Sequence, residues 1–289
     1  MMKVLAYVLF VAALSVPVGA QQRGGMLDVG TAQLRYAVMG SGPALVFING
    51  WALNYSVWDD QAVAFAPRYQ VVRYDLRGFG KSTGHSDETG DADDLRILLD
   101  SLGVQSARLV GLSRGASVAA SFATRWPERV DALVLYGTPP TPDFPLPPEM
   151  RGGPPFAAIA RAHGMDSLRK WLDASPVAWY PPDRPQAADK IRKALADYDG
   201  RDLLDPRPAS GRVPPATLAD LSRLRVPVLL INGDHDMPMM RLIADTLARR
   251  IPGAKRVVIV NGGHGAHVAQ PEAFNRELAA FLGSTRRQE

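Results

Sequence analysis

The stretch that decides the fold is Ala107-Arg-Leu-Val-Gly-Leu-Ser-Arg-Gly-Ala-Ser-Val-Ala-Ala120. Its first six residues are mostly apolar, as in a buried β-strand, and small residues that suit the start of a helix end it. Between them lies Gly-x-Ser-x-Gly, with Ser113 at its centre. A serine at so sharp a strand-to-helix turn is strained and exposes its hydroxyl, and the helix N–H groups face a developing oxyanion. The stretch therefore predicts that Ser113 is a nucleophile; the alternative is a glycine-rich turn with an ordinary capping serine.

Outward from this stretch, short β-branched runs alternate with amphipathic segments. This alternation is typical of a mostly parallel central sheet with helices on both faces, so the predicted fold class is α/β. The predicted strands are residues 34–39, 44–49, 70–75, 107–112, 132–137, 226–232 and 256–260. The predicted helices are residues 91–102, 117–125, 239–250 and 272–282.

The strand–helix rhythm stops between about residues 138 and 225, in a segment rich in Pro, Trp and Arg. Helical patterns at 159–172 and 187–198 predict a small helical subdomain there. We therefore expect a core of residues 21–140 and 226–289 with an inserted cap of residues 141–225, called the cap segment below. Its large apolar residues would roof an apolar pocket if they face inward; they are Phe144, Met150, Phe156, Trp171, Trp179 and Tyr180.

The first 20 residues match a secretory signal peptide. Lys3 precedes an apolar run over residues 4–16, and small residues follow up to Ala20. The run is shorter than the roughly 20 residues that cross a bilayer. We expect cleavage after Ala20, a secreted or periplasmic location, and no membrane span after cleavage.

Two bulk properties exclude other classes of function. The formal net charge of +4 is spread among acidic residues without basic blocks, so nucleic-acid binding is not expected. The chain of 289 residues contains no cysteine, which excludes disulfides, thiolate nucleophiles and Cys-ligated metals.

A serine hydroxyl is a weak nucleophile unless a base accepts its proton, so the next question is which histidine serves. His264 and His267 both follow the predicted strand 256–260, at the end where active sites of open α/β sheets gather. Gly262 and Gly263 precede His264 and give its loop freedom to bring the ring to the nucleophile. We predict His264 as the base, with His267 as the alternative.

The histidine needs a carboxylate that fixes its tautomer and stabilises its protonated form. Asp234 and Asp236 lie directly after the predicted strand 226–232. Either could instead cap the helix that follows. The chain order serine, aspartate, histidine fits this architecture, but the residues alone leave the choice between the two aspartates open.

Together these motifs resemble the α/β-hydrolase superfamily, in its branch of single-domain serine hydrolases with a cap. The resemblance runs from about Leu34 to about Leu282. The matching segments are Gly111–Gly115, Gly233–Asp236, Gly263-His264 and Gln270-Pro271-Glu272. The resemblance selects Asp236 over Asp234 and so implies a catalytic triad of Ser113, Asp236 and His264.

The resemblance also implies an oxyanion hole. In the family, the residue after a His-Gly pair and the residue after the nucleophile donate backbone N–H groups; these are Trp51 and Arg114 here. The pair itself reads Asn49-Gly50, which keeps the backbone donor and changes the side chain that braces the loop. Asp75-Leu-Arg-Gly-Phe-Gly-Lys-Ser82 matches a structural turn of the family, and its Gly-Lys-Ser ending is no phosphate-binding loop, because Asp75 stands where that loop needs glycine.

The expected function is hydrolysis of a carboxylic ester or lactone through an acyl-enzyme on Ser113. The substrate is expected to be a small molecule with an apolar portion, and neither a cofactor nor a metal is required. Carbon–carbon bond hydrolases, aminopeptidase-like enzymes and haloperoxidase-like enzymes keep the serine and stay alternatives. A non-catalytic binding protein on the same fold is a further alternative, which the retention of Ser113, Asp236 and His264 disfavours.

Overall fold

A computed structural model describes residues 22–152, 155–174, 179, 185–206 and 213–285. The predicted signal peptide and Tyr180 lie outside the described residues. The described chain forms one eight-stranded sheet in the order β1-β2-β4-β3-β5-β6-β7-β8. The strands are β1 (Arg23–Asp28), β2 (Gln33–Met39), β3 (Ala44–Ile48), β4 (Gln70–Tyr74), β5 (Ala107–Leu112), β6 (Val130–Tyr136), β7 (Val228–Gly233) and β8 (Lys255–Ile259).

The sheet is parallel except at one edge. β1 pairs antiparallel with β2, and β2 pairs antiparallel with β4. All other neighbours run parallel. The carboxyl ends of β5, β6, β7 and β8 therefore meet at the same edge, where the loops that carry the predicted site begin.

Helices cover the sheet and connect its strands. They are α1 (Asp59–Phe65), α2 (Asp91–Ser101), α3 (Arg114–Arg125), α4 (Phe156–Ala174), α5 (Pro185–Leu195), α6 (Arg201–Leu204), α7 (Leu218–Leu221), α8 (Pro238–Arg250), α9 (Ala266–Ala269) and α10 (Pro271–Ser284). The core between the layers is apolar: β3 is buried along its whole length, and the Phe47 and Trp58 rings pack 4.9 Å apart behind it. No helix within the described ranges is long and apolar enough to cross a membrane.

The predicted α/β class, strands β2–β8 and the predicted helices are confirmed, with ends that shift by a few residues. β1 was not predicted. It reads Arg-Gly-Gly-Met-Leu-Asp and is almost entirely exposed, so it lacks the apolar run or alternation that marks a strand with a buried face. Its register comes from pairing with β2 rather than from its own sequence.

The described part of the cap segment lies between β6 and β7 and contains helices, as the sequence predicted. It carries α4, α5, α6 and α7. α4 is kinked at Gly164, whose φ of 77° and ψ of 168° are not helical. α5 contacts the short 3-10 helix Tyr55–Trp58 of the core, and α4 contacts both α5 and α6.

Candidate active site

Ser113 occupies the turn between β5 and α3. Its φ of 52° and ψ of −119° are a left-handed conformation that a side-chain-bearing residue adopts only under strain. Its N–H donates to the carbonyl of Tyr136 at the end of β6 (2.8 Å). A Cβ on Gly115 would stand 2.3 Å from the Ile48 carbonyl oxygen, and one on Gly111 2.2 Å from the Gly115 oxygen. Both glycines of the motif are thus required for strand and helix to approach so closely.

Asp236 and His264 form a buried pair on the loops after β7 and β8. His264 Nδ1 lies 2.9 Å from Asp236 Oδ1, and each residue is 2% exposed. The Met237 N–H donates to Oδ1 (2.8 Å) and the Asn232 amide to Oδ2 (2.6 Å). Burial alone would raise the pKa of Asp236, but the His264 ring and these donors hold it below its usual value. The carboxylate is therefore charged and available to stabilise a protonated His264.

Gly137 makes room for this pair. It follows β6 with a φ of 54°, and a Cβ there would stand 2.6 Å from His264 Cε1 and 3.4 Å from Asp236 Oδ2. The preceding Tyr136 carbonyl accepts the Ser113 N–H, so the end of β6 touches the nucleophile turn as well as the Asp236–His264 pair. Ser113, Asp236 and His264 thus gather at one edge of the sheet.

The two competing residues have other surroundings. Asp234 accepts the backbone N–H groups of Asn261 and Gly262 (3.0 Å each), so its carboxylate ties down the loop that leads to His264. His267 is fully buried, with its ring 4.2 Å from that of Trp58. Burial lowers the pKa of His267 to about 3, so it is a neutral core residue at ordinary pH. The structure brings Asp236 and His264 together and leaves Asp234 and His267 outside the pair.

The cap segment covers the base. The Trp179 and His264 rings lie 5.2 Å apart, and the Trp179 carbonyl accepts the N–H of Gly265 (2.8 Å). A Cβ on Gly265 would stand 2.6 Å from that carbonyl oxygen. Of the apolar cap residues predicted to roof the site, Trp179 therefore contacts the predicted base directly.

The loop after β3 lies beside the nucleophile. A Cβ on Gly50 would be 3.4 Å from Ser113 Cβ, which brings the Trp51 backbone close to the serine. Asn49 is fully buried, and its amide donates to the Leu53 carbonyl. Asn49 thus braces this loop internally. We call residues 49–54 the oxyanion loop below.

A cavity of about 390 Å³ opens onto Ser113. Part of its wall is apolar and consists of Trp51, Val118, Pro139, Pro140, Pro142 and Pro215. The charged part consists of Glu88, Asp91 and Arg114. The Arg114 guanidinium donates to Asp91 Oδ2 from two nitrogens (3.0 and 2.6 Å). Burial raises the pKa of Asp91 to about 6 although Arg114 opposes the shift. The pocket is more polar than the predicted aromatic roof implied.

The turn that ends in Gly80-Lys81-Ser82 is structural, as expected. Both oxygens of the buried Asp75 carboxylate accept backbone N–H groups, from Tyr55 (2.6 Å) and Lys81 (2.9 Å). A Cβ on Gly80 would stand 2.4 Å from Asp75 Oδ2. The carboxylate fills the space inside the turn, where a phosphate-binding loop would hold an anion.

Sequence reasoning missed three residues that shape the site: Asn232, which holds Asp236, Gly137, which accommodates His264, and Asp202, which accepts the Trp51 indole N–H (2.7 Å). Asn232 lies near the end of the buried apolar strand β7, just before the acid loop, and a polar residue there is a usable signal. Gly137 is the last residue of the predicted strand 132–137, and it follows β6 in the structure. Nothing in the sequence links Asp202 to Trp51, which is 151 residues away.

Comparison with known proteins identifies the family. The profile of the Alpha/beta hydrolase family matches residues 45–277, so the chain belongs to this family, as its motifs predicted. The 3-oxoadipate enol-lactonase 2 of Acinetobacter baylyi is 28% identical over 271 residues, covering 88% of this chain and 96% of that protein. The carboxylesterase YbfK of Bacillus subtilis is 26% identical over 246 residues, covering 83% and 80%.

Solved structures of similar proteins agree with this family assignment. The crystal structure of the enol-lactonase from Burkholderia xenovorans LB400 superposes with a TM-score of 0.76 at 25% sequence identity. The match covers 90% of this chain and 100% of that one. The similarity therefore extends over most of the chain.

Proposed function

We propose that this chain is a serine hydrolase that cleaves a carboxylic ester or lactone through an acyl-enzyme on Ser113. The observation that carries the proposal is the buried Asp236–His264 pair at 2.9 Å, at the same edge of the sheet as a serine held at a φ of 52°. A strained, half-buried serine at the same sheet edge as an imidazole oriented by a carboxylate fits the arrangement that acyl transfer needs.

In the acylation step, Ser113 Oγ attacks the carbonyl carbon of the substrate while His264 Nε2 accepts the hydroxyl proton. The His264 Nδ1–H stays bonded to Asp236, whose charge stabilises the imidazolium. The oxyanion faces the backbone N–H groups of Trp51 and Arg114, the latter at the N-terminus of α3. His264 then donates its proton to the leaving alkoxide, the C–O bond breaks, and the acyl group remains on Ser113.

In the deacylation step, His264 Nε2 accepts a proton from water as the water oxygen attacks the acyl carbon. Collapse of the second tetrahedral species returns the proton to Ser113 Oγ and releases a carboxylic acid. With a lactone, the leaving alcohol stays joined to the acyl group, so one product, a hydroxy acid, leaves after this step.

Two features support an ester or lactone as substrate. The family relatives reported above are named an enol-lactonase and a carboxylesterase, and both names denote cleavage of an acyl C–O bond. The cavity of about 390 Å³ next to Ser113 has room for a small molecule and a wall of prolines and Val118 for its apolar portion.

Labelling with a fluorophosphonate tests the nucleophile. We expect stoichiometric label on the wild-type protein and none on Ser113→Ala. Label that persists in Ser113→Ala would refute the assignment. Turnover of 4-nitrophenyl esters and of lactones of matched size then separates the two substrate classes. An unreactive wild type would favour a non-catalytic binding protein.

A second pair of variants tests the base. His264→Ala is expected to abolish turnover, while His267→Ala keeps the catalytic pair intact and loses stability instead. The reverse result would move the base to His267. Thermal unfolding of both variants separates loss of fold from loss of chemistry.

Export is the remaining part of the proposal. Lys3, the apolar run at residues 4–16 and the small residues up to Ala20 support a cleavable signal peptide and a secreted or periplasmic location. N-terminal sequencing of the protein from the periplasm or medium of a bacterial host is expected to begin at Gln21. An intact N-terminus on protein retained in the cytoplasm would contradict it.

A further inference from the structure

The cap segment holds the side chain of Trp51. The indole Nε1–H donates to Asp202 Oδ2 (2.7 Å), and Tyr198 donates its hydroxyl proton to Asp202 Oδ1 (2.8 Å). The Trp51 ring stacks on Phe156, with centroids 4.7 Å apart and planes 18° apart, and packs edge-on against Tyr198 at 5.1 Å. One carboxylate and two aromatic rings of the cap segment therefore fix this residue of the oxyanion loop.

The cap side of this contact is itself firmly anchored on α4. Arg161 donates to the Leu203 carbonyl of α6 (2.8 Å), and Arg169 donates to the Tyr198 carbonyl (2.6 Å). Gly200, between Tyr198 and α6, has a φ of 74°, and a Cβ there would stand 2.3 Å from the sulfur of Met165. The backbone that carries Asp202 is therefore held in place by contacts with α4.

The far end of the oxyanion loop is held by the cap segment as well. The Asn54 N–H donates to the Ala194 carbonyl of α5 (2.9 Å), and the Asn54 amide donates to Asp197 (3.1 Å). Between the two anchored positions, Ala52 has a φ of 66°, a left-handed conformation that costs about 1–2 kcal/mol without glycine. A loop strained in this way keeps its shape only while its surroundings hold it.

From these contacts we propose that Asp202, supported by Tyr198, is a positioning residue for the reaction: it fixes the Trp51 indole and thereby the Trp51 backbone N–H that binds the oxyanion. The inference rests on the proposed function and adds that the cap segment builds part of the oxyanion hole. The cap segment then affects the chemical step, in addition to enclosing the substrate.

The consequence for kinetics is specific. An oxyanion donor acts on charge that develops in the transition state, so its displacement lowers kcat and leaves ground-state binding nearly unchanged. Loss of a whole donor costs roughly 10²- to 10³-fold in kcat. A donor that is loosened but present is expected to cost less, about 10- to 100-fold.

The experiment compares Asp202→Ala, Trp51→Phe and the double variant. Trp51→Phe keeps an aromatic ring to stack on Phe156 and removes only the indole donor. We expect each single variant to lower kcat on a small 4-nitrophenyl ester by about 10- to 100-fold with KM changed less than about threefold. The double variant is expected to be no slower than either single variant, because both changes remove the same hydrogen bond.

Binding of a boronic acid, which forms a tetrahedral adduct with the serine, gives an independent readout. Its affinity is expected to fall by the same factor as kcat/KM in each variant. The matched control is Asp189→Ala, which removes another carboxylate of the cap segment: Asp189 is 83% exposed and pairs with Arg192 on α5. The control is expected to keep wild-type kcat and boronic acid affinity.

Three outcomes would overturn the inference. They are variants that change KM alone, as a substrate-contacting Trp51 would; fully additive losses in the double variant; and unchanged boronic acid affinity beside reduced kcat. If Asp202→Ala fails to fold, Trp51→Phe and Tyr198→Phe carry the same test. A wild-type enzyme that neither labels with fluorophosphonate nor turns over esters refutes the proposed function instead, which keeps the two failures distinct.

Discussion

Replacing Asp236 by Asn removes the charge that faces His264 and leaves the fold in place. The two carboxylate oxygens accept from His264, Met237 and Asn232. In the variant, the amide oxygen of residue 236 accepts the hydrogen bonds from His264 and Met237, and the amide NH2 group faces Asn232. Because Asn232 Oδ1 is buried without a hydrogen-bond partner, rotation of the Asn232 amide supplies an acceptor. We therefore expect a folded variant in which the charge alone is missing.

The size of the effect follows from the 2.9 Å separation of His264 Nδ1 and Asp236 Oδ1. At an effective dielectric constant of about 20, opposite unit charges at that distance attract by about 6 kcal/mol. The mechanism forms the imidazolium in the transition state. Loss of this attraction in Asp236→Asn therefore raises the activation free energy by about the same amount. At ~1.4 kcal/mol per factor of ten, kcat is expected to fall by about 10⁴-fold.

The assay is steady-state hydrolysis of a 4-nitrophenyl ester, with thermal unfolding of the same preparation. Asp234→Asn is the matched control, because Asp234 lies two residues away and accepts backbone N–H groups at 3.0 Å without contacting the His264 ring. It is expected to lose less than about tenfold in kcat, since only the loop is loosened. If Asp236→Asn keeps more than a tenth of the activity, or Asp234→Asn loses as much as Asp236→Asn, the assignment of the acid is wrong.

Three further changes test other parts of the site. Gly137→Ala, whose Cβ would stand 2.6 Å from His264 Cε1, is expected to lower kcat at least about 100-fold; Gly103→Ala, also at positive φ but with nothing within 4 Å, should lose only stability in chemical denaturation. Burial lowers the pKa of His267 from 6.5 to about 3. Between these two pH values the unfolded chain binds a proton at His267 that the folded chain does not bind, so stability falls as the pH drops. Between pH 7.5 and 4.5 the free energy of unfolding is expected to fall by about 3 kcal/mol from this source. Denaturant titrations of His267→Phe should lack this part of the pH dependence. Asn49→Ala removes the brace of the oxyanion loop and is expected to lower kcat about tenfold at constant KM; an unchanged kcat would leave Asn49 without a role in the loop.

Much of the fold is predictable because buried parallel strands have mostly apolar sequences. The strands β3, β5, β6 and β7 are of this kind. β1 is not predictable in this way, because an exposed edge strand obtains its order from its neighbour. Ser113 and His264 are predicted from short local patterns that follow strands, whereas the choice of Asp236 over Asp234 needs the resemblance to the family.

The remainder of the site depends on contacts between segments distant in the sequence. The pairing of Trp51 with Asp202 spans 151 residues and has no periodicity that would reveal it. The charged wall formed by Arg114 and Asp91 is hidden from the sequence for the same reason, because the Arg114 side chain on α3 contacts Asp91 on another helix, α2.

Three hydrogen bonds among the described residues join the cap segment to the core from backbone to backbone: Asn54 N–H to the Ala194 carbonyl, Gly265 N–H to the Trp179 carbonyl and Val213 N–H to the Thr89 carbonyl. Such bonds do not depend on which side chain the acceptor residue carries. The cap segment can therefore diversify its surface by substitution and still dock in register above His264. Insertions and deletions are different, since one added residue before Trp179 or Ala194 displaces the carbonyl itself. Libraries that vary side chains of the cap segment should yield active enzymes with new substrate ranges far more often than libraries that vary its length.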